Sequence, residues 1–334
     1  DNKIASMAEL DNDLLKGVLL ELDTGAIDMD LTGFADAELE ELMTQFHVDE
    51  ENDAEPKIDQ AEELQKKWGT KLGQVWELGE HRIACGDSTA PETLAKLMGG
   101  SVVECVFTSP PYGVGIDYGQ YKDTFKSLRD LIPKLAAVWF SVVKDGGFAV
   151  VNFGDIIAGR NIAGTSEPCE YPMALEYWPA FRESGWELWS RRIWCKNPAS
   201  TGSMHCISSN RAAANWEHIW TWKKTGPPVV GLQISGDHAS QKGWFDTSND
   251  SPLGIGLDTH AAGMPVSVAT KMLAIHSNPA AEILEPFLGS GTTLIACENL
   301  GRKCRAIELA PEYVAVSIQR WVDVTGKEPQ LVDG

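Results

Sequence analysis

The stretch that most constrains this chain is "ILEPFLGSGTTLIACENLGRKCRAIEL", residues 283–309. A short apolar run meets a Gly-x-Gly turn, a helix-prone segment follows, and a second apolar run ends in Glu308. This is the order of a strand–turn–helix–strand unit, which argues for two parallel strands with a crossover helix. Gly289 and Gly291 let the backbone turn tightly and approach a ligand, and Glu308 stands 17 positions past Gly291. In nucleotide-binding folds an acid so placed accepts hydrogen bonds from ribose hydroxyls. Leu294 occupies the position of the third glycine of a dinucleotide fingerprint. That argues against NAD and for a smaller adenosyl ligand with no pyrophosphate to cradle.

Similar units fill the chain from about residue 70. "KLGQVWELGEHRIACGDS" alternates around Gly79 like a hairpin, and 91–98 reads as a helix. Residues 102–107 read as a buried strand, 123–143 as a helix and "FAVVNF" (148–153) as another buried strand. "WELWSRRIWC" and "WEHIWTWKK" alternate as antiparallel strands, and 265–277 fits a helix. Strands alternating with helices predict an α/β fold, a doubly wound and mainly parallel sheet containing one antiparallel hairpin. Trp186, Trp189, Trp194, Trp216, Trp220 and Trp222 alternate along the strands, which predicts that most are core. The strand 102–107 ends in Thr108, Ser109, Pro110, Pro111 and Tyr112, a rigid loop that sets a hydroxyl, two prolines and an aromatic ring together.

Charge divides the chain. Its net charge of −20 comes mainly from residues 1–63, which hold 20 acids and 3 lysines. The remainder is close to neutral, so the total charge does not exclude a nucleic-acid partner. Residues 1–47 form an acidic, helix-prone segment, 48–66 a charged linker, 67–327 the main domain and 328–334 a tail. No apolar run is long enough to span a membrane, and no secretory signal is visible. Seven cysteines without CxxC spacing favour free thiols and a cytoplasmic setting, and no pair stands at zinc-finger spacing.

Two loops in this order, Ser109-Pro110-Pro111-Tyr112 and Phe287-Leu288-Gly289-Ser290-Gly291, resemble those of the S-adenosylmethionine-dependent amino-methyltransferases of DNA. In that family a [D/N/S]-P-P-[Y/F/W] loop binds the target base and an F-x-G-x-G loop binds the cofactor. The base loop preceding the cofactor loop is the permuted order of the β group. "LGEHRIACGDS" (78–88), "HAAGMPVSVATKMLAIHS" (260–277), "IWCKNP" (193–198) and "WEHIWTWKK" are similar to further family segments, so the resemblance spans about 70–325. Met264 stands where Phe is usual, and Glu285 where the family usually has Asp. Segment 5–45 resembles the tail of a ParB-like domain, which precedes such methyltransferases in some phage or mobile-element proteins.

The resemblance implies a class I methyltransferase fold, S-adenosylmethionine as cofactor and double-stranded DNA as partner, with a homodimer as a further expectation. The implied cofactor contacts are Asp87, Thr108, Pro265, Glu285, Phe287, Gly289, Ser290, Gly291, Thr292, Thr293 and Glu308. Asp87 also reads as a helix cap, and Thr292 and Thr293 as ordinary first-turn residues. The implied catalytic residues are Ser109, Pro110 and Tyr112. An exocyclic amine is a poor nucleophile because its lone pair is delocalised into the ring. The Ser109 hydroxyl and the Pro110 carbonyl offer acceptors for its two hydrogens, and Tyr112 offers a face for an extruded base. Target recognition falls to 154–182, 196–215 and 225–259, with Lys196, Asn197, Ser203 and Arg211 as DNA contacts. Ser at the first loop position goes mostly with N4-cytosine in the family, so cytosine is favoured over N6-adenine. RNA or protein-glutamine methylation and an inactive DNA-binding subunit are the competing readings. No metal is expected.

Overall fold

The computed structural model describes residues 52–117, 122–158, 169–195, 216–230, 243–246 and 264–333. The apolar runs become one ten-stranded sheet. From edge to edge its strands are β11 (Trp244–Asp246), β9 (Glu187–Cys195), β10 (Trp216–Lys223), β6 (Val143–Phe153), β3 (Val103–Thr108), β12 (Glu282–Glu285), β13 (Lys303–Glu308), β2 (His81–Cys85), β1 (Val75–Leu78) and β14 (Gln330–Asp333). Two short ribbons stand apart from it, β4 (Val114–Asp117) with β5 (Lys122–Thr124) and β7 (Ile156–Ala158) with β8 (Cys169–Tyr171). The centre of the sheet, from β6 through β3, β12 and β13 to β2, is parallel. The central runs are apolar on both faces because both faces are covered, as parallel sheets require. In β6 every residue from Gly146 to Phe153 is buried.

One face packs against α2 (Pro91–Met98), α3 (Phe125–Val142) and α4 (Ala174–Glu183), through Leu97, Leu128, Trp139, Phe181 and Trp222 among others. The other packs against α5 (Val266–His276), α6 (Thr292–Asn299) and α7 (Pro311–Thr325), through Phe107, Met272, Leu294, Ile318 and Trp321. The chain leaves β3 through α3 to reach β6 and leaves β12 through α6 to reach β13, so neighbouring strands β3 and β12 feed crossovers in opposite directions. Open α/β sheets bind ligands at such a switch point, outside the carboxyl ends of the strands.

The antiparallel character is wider than one hairpin. Strand β9 pairs antiparallel with β10, which pairs antiparallel with β6. At the other edge β1 lies antiparallel between β2 and β14. The stretch expected to be a tail is therefore an edge strand. The expected linker also differs: α1 (Ala61–Trp68) begins inside it. This helix sets Leu64, with Ile58, Ala61 and Trp68, against Ala315 and Val316 of α7, so its charges belong to one solvated face. Trp186, Trp194, Trp220 and Trp222 are buried, but Trp189 is exposed. Edge strand β11 pairs β9 only at Ile193–Cys195 and stops short of Trp189. Cys85, Cys105, Cys297 and Cys304 are buried free thiols. No helix among the described residues is long and apolar enough to cross a membrane.

Candidate active site

A cleft of about 650 Å³ opens at the carboxyl ends of β2, β3, β12 and β13. Its walls are Gly86–Thr89 after β2, Ser109–Tyr112 after β3, Pro286–Ser290 after β12 and Leu309–Ala310 after β13. Ser127, Asp130, Leu131 and Lys134 of α3 form one rim, a contribution the sequence did not single out.

The two acids of the β12–β13 unit are held differently. Glu285 ends β12 and is almost wholly buried. Its Oε1 accepts from the Thr108 hydroxyl and from the Phe287 N–H at 2.9 Å, and its Oε2 accepts from the Thr293 hydroxyl. Burial pushes this carboxyl up to about 8 even against those three donors. Glu308 ends β13 and is half-buried at the cleft wall. Its Oε2 accepts from the Gly289 N–H at 2.8 Å and its Oε1 from the Ala310 N–H at 2.9 Å. Burial raises Glu308 as well, and the backbone donors hold it back.

The glycines between these acids answer to geometry. Gly289 (φ 54°) and Gly291 (φ 93°) lie in the left-handed region that favours glycine. A side chain on Gly291 would also meet the Ser317 hydroxyl at 3.1 Å, while one on Gly289 would enter open space. Helix α7 backs the loop: Ser317 donates to the Gly289 carbonyl, and Arg320 donates to the Ser290 carbonyl at 3.1 Å. Arg320 also forms a two-pronged ion pair with Asp53.

The other half of the cleft is a hydroxyl network. The Ser109 Oγ lies 2.9 Å from the Tyr112 Oη and 3.2 Å from the Asn152 Oδ1. The Tyr112 hydroxyl also reaches the Asn152 Oδ1 at 3.1 Å and the Glu217 Oε2 at 2.9 Å. The Asn152 amide nitrogen donates to the His218 carbonyl, which turns its oxygen toward Ser109 and Tyr112. Burial, and next the charge of Glu217, push the Tyr112 phenol well above its usual range, so it stays protonated. Asn152 and Glu217 were not singled out from the sequence. The available signal was one polar residue in "FAVVNF" and one acid in "WEHIWTW", each inside a buried strand.

Among the expected site residues, Asp87, Ser109, Pro110, Tyr112, Glu285, Phe287, Gly289, Ser290, Thr292, Thr293 and Glu308 line the cleft. Thr108, Pro265 and Gly291 do not. Thr108 is buried and turns its hydroxyl to Glu285. Pro265 is the residue before α5, and its neighbour Met264 reaches the cleft instead. Gly291 precedes α6 and faces Ser317. Asp87 caps no helix: α2 starts after Ala90, and the Asp87 Oδ1 accepts from the Thr89 N–H and hydroxyl within a turn. Lys196, Asn197, Ser203 and Arg211 lie outside the described residues, as do the acidic segment 1–47 and much of the expected recognition stretches.

Comparisons with known proteins bear on this cleft. The DNA methylase family matches residues 103–319, which include both loops. The ParB-methyltransferase HTH domain matches residues 13–71, a longer stretch than the ParB-like segment expected at 5–45 and one that runs through the expected linker. The Type II methyltransferase M.BglI of Bacillus subtilis is 24% identical over 63% of this chain and 77% of its own. A putative DNA modification methylase of Thermus thermophilus, solved with S-adenosyl-L-methionine, superposes at a TM-score of 0.55. It is 22% identical, over 74% of this chain and 96% of its own. The PvuII DNA methyltransferase, described as cytosine-N4-specific, superposes at 0.57 with 21% identity, over 73% of this chain and 86% of its own.

Proposed function

The chain belongs to the DNA methylase family, and we propose that it moves the methyl group of S-adenosylmethionine to the N4 amine of a cytosine swung out of duplex DNA. One observation carries this reading: the Ser109–Tyr112 loop and the Phe287–Ser290 loop wall one cleft at a switch point of the sheet.

The residues present fit the cofactor. The volume lies within the roughly 300–1,000 Å³ of small-molecule sites. Glu308 has lone pairs left beyond its two backbone donors, enough to accept from ribose hydroxyls. Asp87 keeps its second oxygen for the adenosyl part. The first turn of α6 offers backbone N–H groups to the methionine carboxylate. Glu285, already satisfied by Thr108, Phe287 and Thr293, shapes the turn rather than grasping the ligand directly. When bound, the cofactor supplies an electrophilic methyl group on a sulfonium.

The chain then positions and polarises the amine. The Ser109 Oγ and the Pro110 carbonyl accept its two hydrogens and draw the lone pair toward the methyl. Tyr112 lines the cleft, where its ring would stack on the base, and its hydroxyl is tied to Asn152 and Glu217. In the family that the two loops resemble, serine at the first loop position goes mostly with cytosine, and the cytosine-N4-specific PvuII enzyme shares this fold. Lys196, Asn197, Ser203 and Arg211 would contact the DNA, with the N-terminal HTH-like segment adding a second contact. The protein would act in the cytoplasm of a bacterial or phage-infected cell, as the modification half of a restriction–modification pair. Mass spectrometry of nucleosides from unmodified duplex DNA treated with the chain tests the reading. N4-methylcytosine is expected, and N6-methyladenine without it overturns the choice of base.

A further inference from the structure

We propose that Glu217 fixes the direction of the hydrogen-bond chain behind Ser109 and takes up the proton that the target amine loses. The inference rests on the amine-methylation reading above. Four residues carry it: Ser109 after β3, Tyr112 in the same loop, Asn152 near the end of β6 and Glu217 near the start of β10.

Direction follows from which atoms can only accept. The Asn152 oxygen is an acceptor, because its nitrogen is committed to the His218 carbonyl. The Glu217 Oε2 accepts the Tyr112 hydroxyl at 2.9 Å, shorter than the 3.1 Å to the Asn152 oxygen, so the single Tyr112 proton goes to Glu217. With that proton on the Glu217 side, the Tyr112 oxygen is free to accept from Ser109. Ser109 then points its proton inward and its lone pairs at the cleft. That is the state an amine N–H needs to meet. Glu217 itself is nearly fully buried, on a strand hydrogen-bonded to β6 and β9 on either side, so its place is set by the sheet.

The same chain conducts the surplus proton. The amine lone pair forms the new N–C bond to the sulfonium methyl, and the C–S bonding pair leaves on sulfur as a neutral thioether. The amine proton passes to the Ser109 Oγ while the Ser109 proton moves to the Tyr112 Oη and the Tyr112 proton to the Glu217 Oε2. The methylated amine ends neutral, and Glu217 ends as a carboxylic acid that returns its proton to water when the product leaves. In this relay Glu217 acts on the amine through Tyr112, so it is a positioning residue and proton sink.

Glu217→Gln keeps the side chain's shape but offers an N–H to Tyr112, which reverses the chain. Single-turnover methylation of an unmodified duplex should fall about 100-fold in this variant, the scale of lost acid–base assistance. Dissociation constants for S-adenosylmethionine and DNA should stay within about threefold, since neither is held by Glu217. Tyr112→Phe should fall comparably. The double variant should lose no more than either single one, because residues of one chain act as a unit. Glu217→Asp should recover part of the rate, and a slowing of the wild-type reaction in deuterium oxide should vanish in Glu217→Gln. A Glu217→Gln enzyme at the wild-type rate, or losses that multiply in the double variant, would overturn the relay while leaving the function intact. A wild-type chain that binds the cofactor yet methylates no DNA amine would overturn the function reading and the relay with it.

Discussion

The two halves of the cleft are built by different means. On the side proposed to hold the cofactor, Glu308 is held by backbone N–H groups, and Glu285 by one backbone N–H and two hydroxyls. Most of these donors lie within the same strand–turn–helix–strand unit. On the side proposed to receive the base, Ser109, Tyr112, Asn152 and Glu217 meet side chain to side chain from three strands far apart in sequence. The first half is a local motif, and its chemistry follows from the backbone's path. The second is a tertiary assembly whose chemistry depends on which strands lie side by side. The cofactor half should therefore govern affinity and the base half should govern rate.

Four substitutions can break or sharpen that division, from the largest expected effect to the smallest. Ser109→Ala removes an acceptor aimed at the developing charge, and the methylation rate should fall roughly 10²–10³-fold with cofactor affinity unchanged by calorimetry. A parallel loss of affinity contradicts the division.

Glu285→Gln tests the buried acid through pH. Its folded-state value of about 8 lies above the ordinary 4.5, so the folded chain holds the proton more tightly than the unfolded one. The stability this confers is complete below the ordinary value and is lost as pH rises toward 8. The amide variant lacks that loss. From pH 5 to pH 8 it should gain on the wild type by at most ~4 kcal/mol, read from thermal or denaturant melts. A difference that does not vary with pH removes the argument.

Glu308→Ala should weaken cofactor binding about 10- to 100-fold, the value of charge-assisted hydrogen bonds, while the rate at saturating cofactor changes little. A collapse of the saturated rate would place Glu308 in both halves. Asp53→Ala removes the ion pair to Arg320, whose other hydrogen bonds reach Ser290 and Thr292 of the cofactor loop. Because Asp53 is partly exposed, the expected cost is about 1 kcal/mol, a melting shift of about 2–4 °C, with a slight loss of cofactor affinity. No change in either would leave the 53–70 segment without influence on the loop.

The same division explains what was legible in the sequence. The sequence predicts a strand over 102–107, and β3 runs Val103–Thr108; it predicts a helix over 91–98, which is α2. Apolar periodicity and Gly-Pro punctuation mark such elements locally. Edge strand β14 was not legible, because all four of its residues are exposed and only its pairing with β1 makes it a strand. Helix α1 was hidden by its charges, since Leu64 is its only fully buried residue. Thr108 is expected at the cofactor from its place in a motif, and which neighbour its hydroxyl meets, Glu285, is visible only in the fold. Asn152 and Glu217 sat in strands that were read correctly, but nothing in the chain order says that β10 lies beside β6.

The central claim is that one cleft brings a DNA amine to Ser109 and Pro110 beside the methyl donor. A crystal structure of the chain with duplex DNA and a non-reactive analogue of the donor tests it most directly. It should show a cytosine out of the stack, with N4 within hydrogen-bond distance of the Ser109 Oγ and the Pro110 carbonyl, and the analogue against Glu308 and Gly289. An analogue bound there while the duplex stays fully stacked, or an extruded base whose amine meets other groups, would contradict the account.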